Sequence, residues 1–245
     1  MKLSLTPLLI LVFIAIRSFA QETKQVVDRS GDQYTPVKTT YQVLKDNKAI
    51  KHGPYKLEFG NITVTGFYKM NKKDSAWERV TSKGIVISKK MYSEDKKTGT
   101  WQFYKYDGAF DWQYDFEKDS FINKPQELVI YSYQSANGEW IQGNADRVPK
   151  WLTGAFEWQS FLNRTLRYPQ DAINKNKMGK SVIEVVVDEN GDAIDYSIAE
   201  TPWPSLGAET LRLVKLFQPE FIPAEKDGKK VKSKVGITIN NRLER

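Results

Sequence analysis

The chain has no cysteine and a single histidine in 245 residues, and these two shortages remove most of the common catalytic repertoire. Without cysteine there is no disulfide, no thiolate nucleophile, no cysteine-held zinc and no residue to carry a lipoprotein's acyl chains. His52 alone is too few for a Ser-His-Asp relay or a multi-histidine metal site. It falls in an expected turn, where a solvated imidazole is the simpler reading. No Gly-rich phosphate loop occurs. The carboxylates Asp107, Asp111, Asp115, Glu117 and Asp119 alternate with aromatic residues as a strand's wet face does. A catalytic carboxylate pair needs one member in an apolar pocket instead. Asp188-Glu189-Asn190-Gly191-Asp192 lacks the spacing and distal Glu of a calcium loop and reads as a hairpin turn. The sequence points away from an enzyme, and no cofactor or metal is expected.

Long apolar runs are scarce as well. A membrane-spanning helix needs about 20 apolar residues, and the run from Leu8 to Ile16 is bounded by Ser4, Thr6 and Pro7 on one side and Arg17 on the other. Together with the basic start Met1-Lys2 and the small-residue end Ser18-Phe19-Ala20, it follows the grammar of a cleavable signal peptide over residues 1–20. The expectation is therefore an exported, soluble mature chain with no stable membrane span. The 37 basic and 30 acidic residues give a net charge of +7, of which Lys2 and Arg17 leave with the signal. The remaining lysines are scattered among acidic residues and form no basic stripe, so nucleic acid is not an expected partner.

The composition supplies material for two small domains, with 40% hydrophobic and 13% aromatic residues. Residues 21–33 are polar, lack an apolar period and read as a flexible lead-in. Over residues 34–143, turn clusters of Gly, Asp, Asn and Lys alternate with short Tyr, Trp, Phe, Val and Ile runs, the signature of successive β-hairpins. Gly53-Pro54-Tyr55, Ser75-Ala76-Trp77 and Gly99-Thr100-Trp101 recur at intervals of 22 and 24 residues. Tyr68, Tyr92 and Tyr114 run in step at 24 and 22. This spacing implies a repeat sheet in which neighbouring hairpins must stack to bury their aromatic faces. The glycine-aromatic triplets, with Gln102 to Gly108 after the last, resemble the MORN-like repeats of bacterial envelope proteins, Ser75 standing in place of a glycine. The aromatics serve either as core or as a platform for glycan or peptide. A further strand is expected at Leu128 to Tyr133, a turn at Asn137-Gly138, and a domain boundary at Asn144 to Pro149.

The pattern then changes, and residues 150–245 read as a second domain. Trp158, Phe161, Leu162 and Leu166 fall at helical spacing, and Tyr168-Pro169 opens a second helix reaching about Asn176. Ser181 to Asp188 alternates as a strand, Asn190-Gly191 is a tight turn, and Ala193 to Ile198 is the return strand. A helix from Pro204-Ser205 places Leu206, Leu213, Val214 and Phe217 on one face. After the turn Lys226 to Lys229, the last strand sets Val231, Ser233, Val235, Ile237 and Ile239 against Lys232, Lys234, Gly236, Thr238 and Asn240. The fold class is α+β, with an N-terminal antiparallel hairpin-repeat sheet and a small C-terminal antiparallel sheet carrying helices on one side.

Leu166-Arg167-Tyr168-Pro169, Ala172, Gly179 to Val182, Val187 to Gly191, Ala208 to Val214 and Phe221-Ile222-Pro223 occur in an order that resembles the TonB C-terminal domain family over about residues 150–243. Phe221 stands where the family usually has tryptophan. An energy-transducing TonB also has a membrane anchor and a long Pro-rich spacer, so the resemblance implies the binding half of such a system. It implies a periplasmic module that takes an extended segment of an outer-membrane TonB-dependent transporter, or of another envelope protein, by β-strand addition in TonB-dependent transport. The implied docking strand is Val231–Ile239, its backbone exposed at a sheet edge, with Lys232 and Lys234 steering an acidic partner and Tyr168 and Pro169 lining the path. Edge lysines equally serve to prevent pairing. The same edge also allows two copies of the chain to pair. The alternative function is an envelope structural or glycan- and peptide-binding protein acting through the aromatic repeats.

Overall fold

Alternating aromatic and polar residues between tight turns fold the first half of the chain as a meander. Strands β1 (Thr23–Ser30), β2 (Val37–Leu44), β3 (Lys51–Phe59), β4 (Ile62–Lys69), β5 (Lys72–Thr81), β6 (Val86–Ser93), β7 (Lys96–Tyr104), β8 (Phe110–Asp115) and β9 (Ser120–Ile122) form one antiparallel sheet in sequence order. The computed structural model describes residues 21–31, 36–123, 131–143 and 145–243. The expected signal peptide, the first part of the expected strand at 128–130 and Asn144 lie outside them.

The lead-in expectation is corrected by β1, which pairs with β2 from Thr23↔Leu44 to Ser30↔Val37. An outermost strand needs only its neighbour's backbone, so its polar, aperiodic sequence concealed it. The Thr23 hydroxyl donates to Gln42 at 2.6 Å and Lys45 pairs with Glu22 at 2.8 Å, adding side-chain ties. His52 is also corrected: it lies in β3, half-buried, with its ring edge-on to Phe67 at 6.1 Å.

The sequence repeat has a structural counterpart. Register shifts fall between Tyr41 and Val43, Thr65 and Phe67, and Lys89 and Met91, each beside one of the three glycine-aromatic triplets. Each is a bulge that turns the sheet. In the second, Gly66 faces the bulge, and a Cβ there would lie 2.2 Å from the Trp77 ring. Two-residue turns with both φ positive, Met70-Asn71 and Glu94-Asp95, close the β4–β5 and β6–β7 hairpins. Each clamps the preceding hairpin in the same way. Asn71 Oδ1 accepts the Lys51 N–H at 2.6 Å while the Asn71 N–H donates to the Lys51 carbonyl at 2.8 Å. Asp95 repeats both bonds with Lys73 at the same distances.

Ser75 adopts φ 60°, matching φ 58° at Gly99 in the next repeat. A side chain in this left-handed region costs about 1–2 kcal/mol relative to glycine. Ser75→Gly is therefore expected to raise stability by about 1 kcal/mol, read as a higher urea midpoint at unchanged slope. An unchanged or lower midpoint contradicts the strain.

The two aromatic series interleave into one ladder across the sheet. Ring centroids run Tyr55–Tyr68 5.3 Å, Tyr68–Trp77 5.2 Å, Trp77–Tyr92 6.1 Å, Tyr92–Trp101 5.0 Å and Trp101–Phe116 5.3 Å, mostly edge to face or tilted. Lys73 lies over Trp77 and Tyr92, and Lys90 over Trp101 and Phe103.

The rest of the chain contributes β10 (Tyr131–Gln134), β11 (Trp140–Gln142), β12 (Lys150–Trp151), α1 (Ala155–Thr165), α2 (Gln170–Asn174), β13 (Gly179–Val187), β14 (Ala193–Glu200), α3 (Pro204–Phe217), β15 (Phe221–Ile222), β16 (Ala224–Lys226), β17 (Lys229–Val231) and β18 (Ser233–Asn241). The helices and strands expected after residue 150 are present, and the architecture is α+β as read from the sequence. Ile183, Val185 and Val187 of β13 and Val235 and Ile237 of β18 pack with Val214 of α3 and Phe221 in one core. Among the described residues no helix is long and apolar enough to cross a membrane.

The five-stranded sheet runs β11-β10-β18-β13-β14, so the hairpin at 131–142 joins the C-terminal sheet. This displaces the boundary expected at 144–149. A two-stranded hairpin alone is marginal in water, and pairing with β18 gives it a sheet to extend. The connecting segment is also knitted in, since β12 pairs with β15 and Arg147 bridges Glu225.

The repeat sheet shares a core with the segments that flank the C-terminal helices. Leu152 and Ile222, both about 1% exposed, pack into the cluster of Trp77, Tyr92, Trp101, Phe103, Trp112 and Tyr114. Charged contacts surround it. Glu220 accepts from Tyr92 Oη at 2.6 Å and Lys90 Nζ at 2.9 Å, with Lys73 at 3.9 Å. Arg79 pairs with Glu157, Lys97 with Asp192, and Arg147 with both Asp119 and Glu225. The aromatic face of the repeat sheet is thus a seat for the C-terminal unit, with Trp77, Tyr92, Trp101 and Tyr114 buried in packing and Tyr55 and Tyr68 partly buried.

Candidate partner-binding edge

Of the residues expected to bind a partner, Ser233 to Ile239 lie together in β18, and the other four lie outside that strand. Val231 ends β17, which pairs with β16, and Lys232 is the link to β18. The last strand therefore starts at Ser233. From there β18 runs beside β13 in an unbroken register, Ser233↔Val187 through Asn241↔Gly179. Ser233, Val235, Ile237 and Ile239 are buried, and Gly236, Thr238 and Asn240 lie on the outer face. The alternation expected for this strand is correct.

The expectation of a wholly exposed edge is not. On its other side β18 is paired with β10, through Tyr131↔Val235, Ser132↔Lys234 and Tyr133↔Ser233. The Gln134 N–H donates to the Lys232 carbonyl at 2.8 Å and extends this pairing by one step. Beyond Val235, among the described residues, Gly236 to Asn241 pair only with β13. In an antiparallel ladder a residue's N–H and C=O point to the same side, and the sides alternate. Because Lys232 faces β10, the backbone groups of Gly236, Thr238 and Asn240 face the same way. Among the described residues they meet no strand on that side, and they form the open stretch.

The lysines also differ from expectation. Lys234 pairs with Glu184 at 2.8 Å and lies 4.7 Å from the centroid of the Trp140 ring, so it is held on the outer face. Its charge is already matched by Glu184. The Tyr168 hydroxyl donates to the Lys177 carbonyl at 2.6 Å. Lys177 leads into Gly179, the residue opposite Asn241, and Pro169 caps α2 beside it. Tyr168 and Pro169 thus stand near the C-terminal end of β18, without a hydrogen bond to it among the described residues.

Among the described residues the sheet ends in β11 on one side and in β14 on the other, and Ile194 and Ile198 of β14 are exposed. Sequence reading did not single it out, though the exposed isoleucines in its return strand were a usable signal. Two register shifts interrupt the β13–β14 ladder, at Val182/Ile183 and Val186/Val187, and Asp195 and Glu200 lie along it. Bulges and charges are the common means of turning an edge away from further pairing. The β13–β18 ladder has no shift, so the open stretch of β18 is the flatter template.

Asp107, Asp115 and Asp188 take part in turns. Asp107 accepts the Ala109 N–H, Asp115 accepts the N–H groups of Glu117 and Lys118, and Asp188 accepts those of Asn190 and Asp192. All are turn bonds of the kind short acidic side chains make. Glu220 was missed because Gln218-Pro219-Glu220 reads as a solvated loop. No curated protein matches the chain. Residues 164–243, from the end of α1 through β18, match the family described as Gram-negative bacterial TonB protein C-terminal, and this part of the chain is a TonB-like envelope interaction module.

Proposed function

We propose that this protein is a periplasmic, non-catalytic binding protein whose TonB-like unit captures an extended segment of an outer-membrane TonB-dependent transporter, or of another envelope protein, by adding it as a strand to β18. The observation that carries this reading is the regular β13–β18 ladder in which, among the described residues, Gly236, Thr238 and Asn240 have no partner strand on their far side. Main-chain hydrogen bonds supply affinity in strand addition, and outer-face side chains tune it. The repeat sheet serves as the rigid base on which the module is seated, through Leu152, Ile222 and Glu220.

Backbone recognition predicts an unusual mutational signature. Thr238→Pro removes one outward N–H at a position where proline is sterically acceptable on a sheet edge. It is expected to weaken capture of solubilised outer-membrane transporters at least about tenfold, while Thr238→Ala has little effect. Circular dichroism of both variants should match the parent. Equal binding by the proline variant removes β18 as the docking strand.

A further inference from the structure

Hairpin β10–β11 occupies the same side of β18 that a partner strand must use. Among the described residues its hold is slight: β10 has four residues and β11 three, and Tyr131, Ser132 and Tyr133 are in register with β18, against nine residues of β13 on the other side. All three residues of β11 are exposed, with Trp140 and Ile141 each 39% accessible. Among the side chains described, the buried attachments are Ser132 and Tyr133, each 7% exposed, supplemented by Lys234 over Trp140. Short strands with few buried apolar contacts sit at the low-stability end of a structure and open first.

We propose that β10–β11 is a resident guest strand, a strand-addition ligand carried in the same chain, and that an incoming extended peptide displaces it. The docking edge then runs from Ser233 to Asn241 in place of the six residues from Gly236. The chemistry it accepts is visible in the resident: an antiparallel strand placing an aromatic opposite Ser233 and a small polar residue opposite Lys234. Binding is coupled to release of the hairpin, so anything that tightens β10 on β18 lowers affinity and anything that frees it raises affinity. This inference rests on the strand-addition reading and specifies how the edge is controlled.

The absence of native cysteine allows a clean test. Ser132 and Lys234 are directly opposite, and their alternation from the Gln134–Lys232 bond makes them a hydrogen-bonded pair, for which a Cα separation of about 5.5 Å suits a disulfide. The full chain carrying Ser132→Cys and Lys234→Cys would be titrated, oxidised and reduced, with a fluorescent synthetic peptide copying residues 131–142. Reduced protein is expected to take up the peptide and oxidised protein to bind it at least about tenfold more weakly. Trp140→Ala, which removes the contact with Lys234, is expected to bind it more tightly than the parent and needs no disulfide. In the parent, amides of Ser132 to Gln134 are expected to exchange about a hundredfold faster than those of Ile183 to Val187. Equal binding by oxidised and reduced protein overturns displacement while leaving strand addition intact. Failure of the peptide to bind reduced protein or Trp140→Ala overturns both.

Discussion

Glu220→Ala is expected to destabilise the protein by about 3–5 kcal/mol, a loss out of proportion to a single loop residue. The carboxylate is 18% exposed and lies where the C-terminal unit meets the repeat sheet, against Lys90, Lys73 and Tyr92. Burial alone would push its pKa up, but Lys90, then Lys73, the Tyr92 hydrogen bond and Lys97 outweigh that and hold it at about 2. The alanine removes the shared counter-charge and leaves two lysines at a buried junction. Burial already pushes the Lys73 ammonium down, so it has little hydration to fall back on.

The same geometry sets a pH dependence with a definite sign. A carboxylate whose pKa is lowered on folding stabilises the fold above its unfolded value, about 4.5, and this contribution is lost as pH falls toward 2. The stability gap between the parent and Glu220→Gln, measured by urea unfolding, should stay constant above about pH 4.5 and narrow progressively below it. A gap independent of pH throughout this range contradicts the assigned charge state.

The second large effect is expected at Trp101, which is fully buried and donates its indole N–H to the Met91 carbonyl at 2.9 Å. Trp101→Ala should cost about 3–5 kcal/mol, since it opens a cavity in the ring ladder and leaves that carbonyl unpaired. Because Trp101 shares its cluster with Leu152 and Ile222, unfolding should remain a single transition reported equally by probes in both sheets. If the repeat sheet melted separately while the TonB-like unit stayed folded, the shared core would be a passive contact.

What could be read from the sequence depends on how local its cause is. Ile183, Val185 and Val187, the Asn190-Gly191 turn and the Leu206 to Phe217 helix face are written in short-range periodicity, and each is found in place. Aromatic spacing at 22 and 24 residues foretold stacked hairpins because each ring ladder step is a neighbour contact. The neighbour of β18 was hidden because β10 lies about one hundred residues upstream, and no pattern within β18 records which strand pairs with its far side. The strand β1 was hidden for the opposite reason. Its ladder with β2 is made by backbone groups and most of its side chains lie in solvent, so they carry no apolar period. The candidate site was thus legible in its residues and illegible in its exposure, and exposure is what decides which part of β18 a partner can reach.

Hydrogen exchange at single-residue resolution, with and without a bound extended segment of an outer-membrane transporter, tests the central claim most directly. The account predicts new protection at Gly236, Thr238 and Asn240, whose amides face the open side, while Ile237 and Ile239, already bonded toward β13, stay unchanged. Protection appearing instead along Ala193 to Glu200 or Trp140 to Gln142 would make β14 or β11 the docking strand, and no protection on any of the three would contradict strand addition altogether.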